Sequence, residues 1–275
     1  VCYCLAMALK FEYYDEKIVG VPASTAKEML VKLIFERIKA GEYNLTEWAY
    51  DVFSDNEIQS ECWYGNYVSI SDSFDGPEVK LSYLENLYIY NDNPEELVSI
   101  VCEPRYSCVM NFDYCTNIHM SDLTMGHTTE EGYCTGAVIG INNGLDFEFY
   151  NMDLYGCGTY GISAYDTDHI SLHNSTIHDC SYGCLELNSC KSVYCEDSSF
   201  IDCAEAFNAF DIYNTGLDLS NCYFNNLPEV IFAMDNISYV RILDGTFVGD
   251  IYDNIINQVE ENNLPVLIQV SNNKH

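Results

Sequence analysis

The chain is poor in positive charge. Eleven lysines and arginines stand against 43 aspartates and glutamates, a formal net charge of −32 over 275 residues. Phosphate recognition needs clustered cations, so nucleic acid and anionic lipid surfaces are excluded as partners. Polyuronates are disfavoured too unless a cation bridges them. Neutral ligands, cations and basic partners remain, although the acidity would also serve simply to keep a sticky scaffold dissolved. Proline is scarce, at six residues, and no Pro/Gly/Ser-rich stretch interrupts the chain. One domain over residues 1–275 is therefore expected, as a monomer. No apolar run reaches the roughly 18 residues that a spanning helix needs, so no membrane insertion is expected. Helix-favouring Ala, Lys and Arg are sparse, whereas Tyr, Asn, Asp, Ser and Ile abound. That is the composition of strands and turns.

What the chain does contain is a repeat. Ile118, Phe147, Ile170, Val193, Leu217 and Val240 are spaced by 29, 23, 23, 24 and 23 residues. Two residues after each anchor stands Met120, Phe149, Leu172, Cys195, Leu219 or Ile242, and seven after it Met125, Leu154, Ile177, Phe200, Phe224 or Phe247. All are apolar, and the alternation between them is that of strands with one buried face. Four residues after each anchor comes Asp122, Asn151, Asn174, Asp197, Asn221 or Asp244. These side chains tolerate a left-handed backbone and suit a tight bend. In register, their amides can also bond to one another along the stack. Asn174 opens a glycosylation sequon, but a buried ladder position would make it a poor acceptor. A third strand precedes the anchors, in pairs such as Met110/Phe112, Ile139/Ile141, Ile162/Ala164 and Leu185/Leu187. Three short strands per 23 residues predict parallel coils stacked about 4.8 Å apart. The fold class expected is all-β, a right-handed single-stranded parallel β-helix.

An earlier copy, Leu87–Tyr88–Ile89–Tyr90–Asn91, extends the pattern towards the N-terminus, and Leu264–Val270 reads as a final strand. Residues 41–270 are thus assigned to the β-helix and 1–40 to an N-terminal segment. Within that segment Ala23–Lys39 carries candidate N-caps and a helical apolar stripe, and predicts a helix capping the open end of the core. Among the 14 cysteines, Cys157, Cys180 and Cys203 recur once per coil, ten residues past the anchor. Stacked inward thiols behave as small apolar core residues. Zinc spacing is absent. His169 and His173 lie on one strand about 13 Å apart, too far to share an ion, so no metal ligands are assigned.

The segment Gly41–Val248 resembles the bacterial pectin-lyase-like proteins of the right-handed parallel β-helix repeat class. The resemblance rests on AGEYNLTE (40–47), SYLENLYIYND (82–92) and the repeat with its Asn ladder. The stretches GHTTEEGYCTG (126–136) and DLYGCGTYGI (153–162) are similar to an uncharacterised secreted or surface branch. The resemblance implies the fold and a ligand groove along the strand that precedes the anchor strand. It implies no one activity, because that class holds lyases, hydrolases, epimerases and non-catalytic members. The apolar run VCYCLAMAL at residues 1–9 is too short to establish a signal peptide but is compatible with a remnant of one. A secreted or cell-surface location is the expectation.

Outward residues of the groove strand follow from parity: Asn111 and Asp113, Gly140 and Asn142, Ser163 and Tyr165, Glu186 and Asn188, then Asp211 and Asp235. The cysteine frame makes Asp211 the neighbour of Asn188, offset by two from Glu186. Turns leading into the strand carry His127, Glu131, Tyr155, Tyr160, Asp179 and Tyr182, and the 29-residue spacing places a six-residue insertion around Thr128–Tyr133. Glycoside hydrolysis needs two carboxyls about 5–9.5 Å apart, and Glu186/Asp211 is the leading pair, with His127/Glu131 as a second acid/base candidate. Asn111, Asp113, Asn142, Tyr155, Tyr160, Tyr165, Asp179, Tyr182 and Asn188 are the candidate substrate-binding residues. No resident cofactor is expected, although Asp113 or Asp211 could hold Ca2+. These residues leave three readings open. The first is binding, with or without cleavage, of a largely neutral polysaccharide. The second is a non-catalytic structural or adhesive β-helix, and the third a calcium-assisted polysaccharide lyase. The polygalacturonase set of GHG together with NxD, DD and RxK is not present as a set, and GHT at 126–128 is only a partial echo of it.

Overall fold

The computed structural model describes residues 35–38, 41–64, 67–130, 135–156, 160–203 and 208–270. These build a right-handed parallel β-helix of three sheets, the hand that parallel crossovers adopt. The anchor sheet has nine strands, from Phe35–Ile38 through Glu85–Asn91 to Tyr239–Leu243 and Val266–Gln269. The anchors stand in register, Leu87, Ile118, Phe147, Ile170, Val193, Leu217, Val240 and Val266 each opposite the next. A second sheet of eight short strands carries Met125, Leu154, Ile177, Phe200, Phe224 and Phe247 in one inward file. The groove sheet has nine strands, from Cys62–Tyr64 to Phe232–Met234. Its first three strands join antiparallel to one another, and the remaining pairings are parallel.

The alternation is reproduced in burial. Phe147, Phe149, Leu154, Phe200, Phe210 and Phe224 are wholly buried in one continuous core. Phe200, Phe224 and Phe247 stack ring on ring, with centroids 5.6 and 5.1 Å apart. Cys180 and Cys203 are buried as expected, whereas Cys157 lies outside the described residues; no two of the ten described cysteines are joined by a disulfide.

All six predicted Asn/Asp bends are left-handed, with φ of 50–58°. Asn151 donates to Asp122, Asn174 to Asn151 and Asn221 to Asp197. The ladder is nonetheless at an exposed corner: Asn151, Asn174, Asp197 and Asn221 all face solvent. The expectation that Asn174 is buried is therefore corrected. The buried member is the next residue. Ser175 and Ser198 accept the main-chain N–H groups of Met152 and Ser175 at 2.9 and 3.2 Å, satisfying donors that the tight corner would otherwise strand.

The helix predicted over Ala23–Lys39 can be compared with the structure only at its C-terminal end. Residues 23–34 lie outside the described residues, and Phe35–Ile38 is a strand paired with Tyr88–Asn91. Its pattern suits either element, and the open edge of the anchor sheet offers a row of backbone partners that a helix would leave unpaired. An N-terminal helix is present as expected of the fold, in α1 (Leu45–Val52), followed by α2 (Asp55–Gln59). Asn44 caps α1 by accepting from the N–H groups of Thr46 and Glu47, and Leu45, Trp48, Ala49 and Ile58 join the core. At the other end α3 (Ile251–Asn262) buries Ile251 and Ile255. Its Gln258 accepts from the N–H groups of Ile231 and Phe232 and donates to the Phe232 carbonyl, covering the last groove strand. No helix among the described residues is long and apolar enough to cross a membrane.

Candidate functional site

The outer face of the groove sheet carries two files of side chains. One runs Lys80, Asn111, Gly140, Ser163, Glu186, Asp211 and Ala233, each residue opposite the next. The other runs Ser82, Asp113, Asn142, Tyr165, Asn188 and Tyr213. Glu186 and Asp211 are therefore direct neighbours, not offset by two, and Asn188 stands beside Tyr213. The cysteine frame misleads because the turn from Cys203 to Phe210 is two residues longer than that from Cys180 to Leu185. The following corner, Ile212 to Leu217, is one residue shorter than Leu187 to Val193, which hides the insertion in a 24-residue period. Asp235 does not close this file. It accepts from the N–H groups of Asn214, Ile237 and Ser238, as a turn cap.

Glu186 and Asp211 are half-buried among hydroxyls and an amide. Ser163 Oγ donates to Glu186 Oε2 at 2.5 Å, and the Tyr165 hydroxyl also bonds to Glu186. The Tyr160 hydroxyl donates to Asp211 Oδ2, and Asn208 Nδ2 to Asp211 Oδ1. Burial pushes the Asp211 carboxyl above its ordinary range and the charge of Glu186 adds to this, while the Tyr160 hydrogen bond works against both. Burial and the same carboxylates hold Tyr160 and Tyr165 protonated, well above the usual phenol range. Tyr160 is buried, 6% exposed, with Tyr182 edge-on to it at 6.4 Å, whereas Tyr165 is 37% exposed. The structure thus brings Glu186, Asp211, Tyr160, Tyr165, Tyr182 and Asn188 together. Sequence reasoning missed Asn208, whose role depends on the lengthened turn, and left Ser163 without a role.

Towards the N-terminal end, the Asn111 amide donates to Glu78 Oε1 at 3.3 Å and its carbonyl accepts from Asn142 at 3.3 Å. Asp113 follows in the outer file. Cys108 Sγ packs against Gly140 and its backbone N–H donates to Glu78. Burial pushes that thiol far above its ordinary range, so it is no nucleophile at neutral pH.

Other candidates lie elsewhere. His127 is 3% exposed, and its Nε2 bonds to the Ser107 carbonyl at 2.9 Å. Burial lowers its affinity for a proton. Its proposed partner Glu131 lies outside the described residues. Tyr155 and Asp179 face outward on the neighbouring short-strand sheet. There His178 Nε2 meets Asp153 at 2.9 Å, its Nδ1 meets Asp179 at 2.6 Å, and its ring stacks on Tyr155. Among the described residues no three His, Cys, Asp or Glu side chains converge to hold an ion. His169 and His173 pair separately, with Asp146 and Glu196.

No family model matches the chain, and no curated protein matches it. Among solved structures it is similar to a "putative glycosyl hydrolase" of Parabacteroides merdae, at 10% identity over 59% of this chain and 81% of that one, with a TM-score of 0.41. It is similar also to full-length tailspike protein 2 of an Escherichia coli O157:H7 bacteriophage, at 9% identity over 87% of this chain and 37% of that chain, TM-score 0.29. For the enzymatically active domain of that tailspike the values are 8%, 87%, 41% and 0.33. The chain spans less than half the length of either tailspike chain.

Proposed function

We propose that the protein binds a largely neutral polysaccharide along the outer face of the groove sheet and hydrolyses it with Glu186 and Asp211. The observation that carries this reading is the in-register carboxyl pair, in which one member is pushed towards its protonated form. Neighbouring strands lie about 4.8 Å apart, nearer to the roughly 5–5.5 Å carboxyl spacing of retaining glycosidases than to the 6.5–9.5 Å of inverting ones. Asp211 would donate its proton to the glycosidic oxygen as the C–O bond breaks, while the Glu186 carboxylate attacks the anomeric carbon. Water, deprotonated by Asp211, would then release the sugar and restore both groups.

Charge favours a neutral substrate. Lys191 and Arg241 are paired with Asp168 and Asp218 on the anchor sheet, Lys80 stands four strands from Glu186, and Arg105 lies in the turn before Met110, whose strand is three from Glu186. A uronate lyase would need a cation beside the acidic sugar, so hydrolysis is preferred. A second reading, binding without turnover, is favoured by the engagement of both carboxyls with Ser163, Tyr160 and Asn208. The test is reducing-sugar release from a panel of neutral polysaccharides by wild type, Glu186→Gln and Asp211→Asn, with retention of the same glycans in affinity gels. Cleavage lost at least a hundredfold in both variants is expected. Retention without cleavage reduces the protein to a binding module, and cleavage untouched by either substitution rejects the pair.

A further inference from the structure

The file that holds the carboxyl pair does not end at Asn111. It continues through Lys80 and Ser69 to Trp63 on the first groove strand. Trp63 is half-exposed, whereas the other tryptophan, Trp48, is in the core. Beside the file, Tyr83 and Tyr114 immediately follow the groove strands that end at Ser82 and Asp113. Their rings lie nearly parallel, 11° apart with centroids at 5.4 Å, and are 55% and 51% exposed. Both residues hold a left-handed backbone, φ 57° and 52°. In the following coils the same corner is occupied by Asn143, Asp166, Ser189 and Asn214, all left-handed as well. Small polar side chains take that conformation at low cost, whereas a bulky one is strained there. Two exposed tyrosines at a corner where asparagine would serve better for folding break the local rule, as functional positions do.

We infer that Tyr83, Tyr114 and Trp63 are distal aromatic subsites of the groove, so that the ligand is a long polysaccharide chain running from the carboxyl pair towards the N-terminal end. This rests on the functional reading above. At about 4.8 Å per strand, Tyr114 lies about three strands or 14 Å from Glu186, Tyr83 four strands or 19 Å, and Trp63 six strands or 29 Å. Sugar rings present an apolar C–H face, which loses water when it packs on an exposed aromatic face. The stacked tyrosine pair forms such a platform beside the polar floor of Asn111 and Asn142. A chain of two or three sugars seated at the carboxyl pair cannot reach it, whereas longer chains gain first the tyrosines and then the tryptophan.

The test uses the double substitution Tyr83→Asn/Tyr114→Asn, which installs the residue type that the corner prefers and is expected to leave the melting temperature unchanged or raised. Trp63→Ala is made separately. Wild type and variants are run in affinity gels containing mixed-linkage β-glucan, galactomannan, arabinoxylan or dextran, and then with size-fractionated oligosaccharides of whichever glycan is retained. The expected result is at least a tenfold loss of affinity for the polymer in the tyrosine variant. Binding of di- and trisaccharides should be unaltered, and the loss in Trp63→Ala should be confined to still longer fragments. Equal retention of wild type and folded variants overturns the subsites while leaving the carboxyl-pair reading intact. If wild type retains none of the four glycans, the functional reading falls and the subsites with it.

Discussion

His178 tests the electrostatics of the coil surface. Its imidazole is held between Asp153 and Asp179. Its hydrogen bond to Asp153 raises its pKa from 6.5 to about 9; burial opposes this and Asp179 reinforces it. A histidine held above its ordinary value binds its proton more tightly folded than unfolded. Its stabilisation is therefore fully present below about pH 6.5 and lost as pH rises through about 9. Each pKa unit is worth about 1.4 kcal/mol, so the linkage would reach about 3.4 kcal/mol at full strength. The side chain is 28% exposed and its partners about half, and solvent screening reduces this to roughly 2 kcal/mol. For a domain somewhat larger than 250 residues, that is a fall of about 4 °C in Tm. His178→Gln, melted beside wild type by circular dichroism from pH 6 to pH 10, should show that deficit at pH 6 and almost none at pH 10. A deficit that stays constant or grows with pH refutes the argument. Because the cluster sits on the short-strand sheet, glycan retention at pH 6 should not change.

The raised pKa of Asp211 has the opposite consequence for its variant. A carboxyl raised on folding contributes stability below its unfolded value, and that contribution is lost as pH rises through the folded one. Asp211→Asn cannot ionise, so its Tm should gain on wild type between pH 4 and pH 8; calorimetry that finds it losing ground over that range rejects the assignment. In the core, Phe200 is fully buried and packs against Phe224 at 5.6 Å and Phe210 at 5.1 Å. Phe200→Ala should cost about 3–5 kcal/mol, and because coils contact mainly their neighbours, hydrogen exchange should quicken most in adjacent coils. Uniform acceleration from end to end would contradict that picture.

Much of the fold was legible in the residues. Inward positions repeat at fixed intervals because each coil must bury the same face against the same core, and left-handed corners select Asn and Asp. Hence the anchor register, the file from Met125 to Phe247 and the six bends all follow from spacing. The assignment of Phe35–Ile38 did not, because its sequence fits a helix or a strand and an open sheet edge decided between them. Nor could spacing show that the Asn ladder is exposed while Ser175 and Ser198 lie beneath it.

The candidate site divides along the same line. Periodicity alone determined the coiled architecture and the sheet whose outer face bears Glu186 and Asp211, because periodicity records the burial that every coil repeats. Only the tertiary structure decided that the two carboxyls are adjacent, that Tyr160 and Asn208 hold one of them, and that His127 is sealed in the interior. Those facts depend on turn lengths that differ from coil to coil and on contacts between distant residues, such as Tyr160 with Asp211, 51 positions apart. A repeat fixes where each strand points, but compensating insertions in its turns decide which side chains meet.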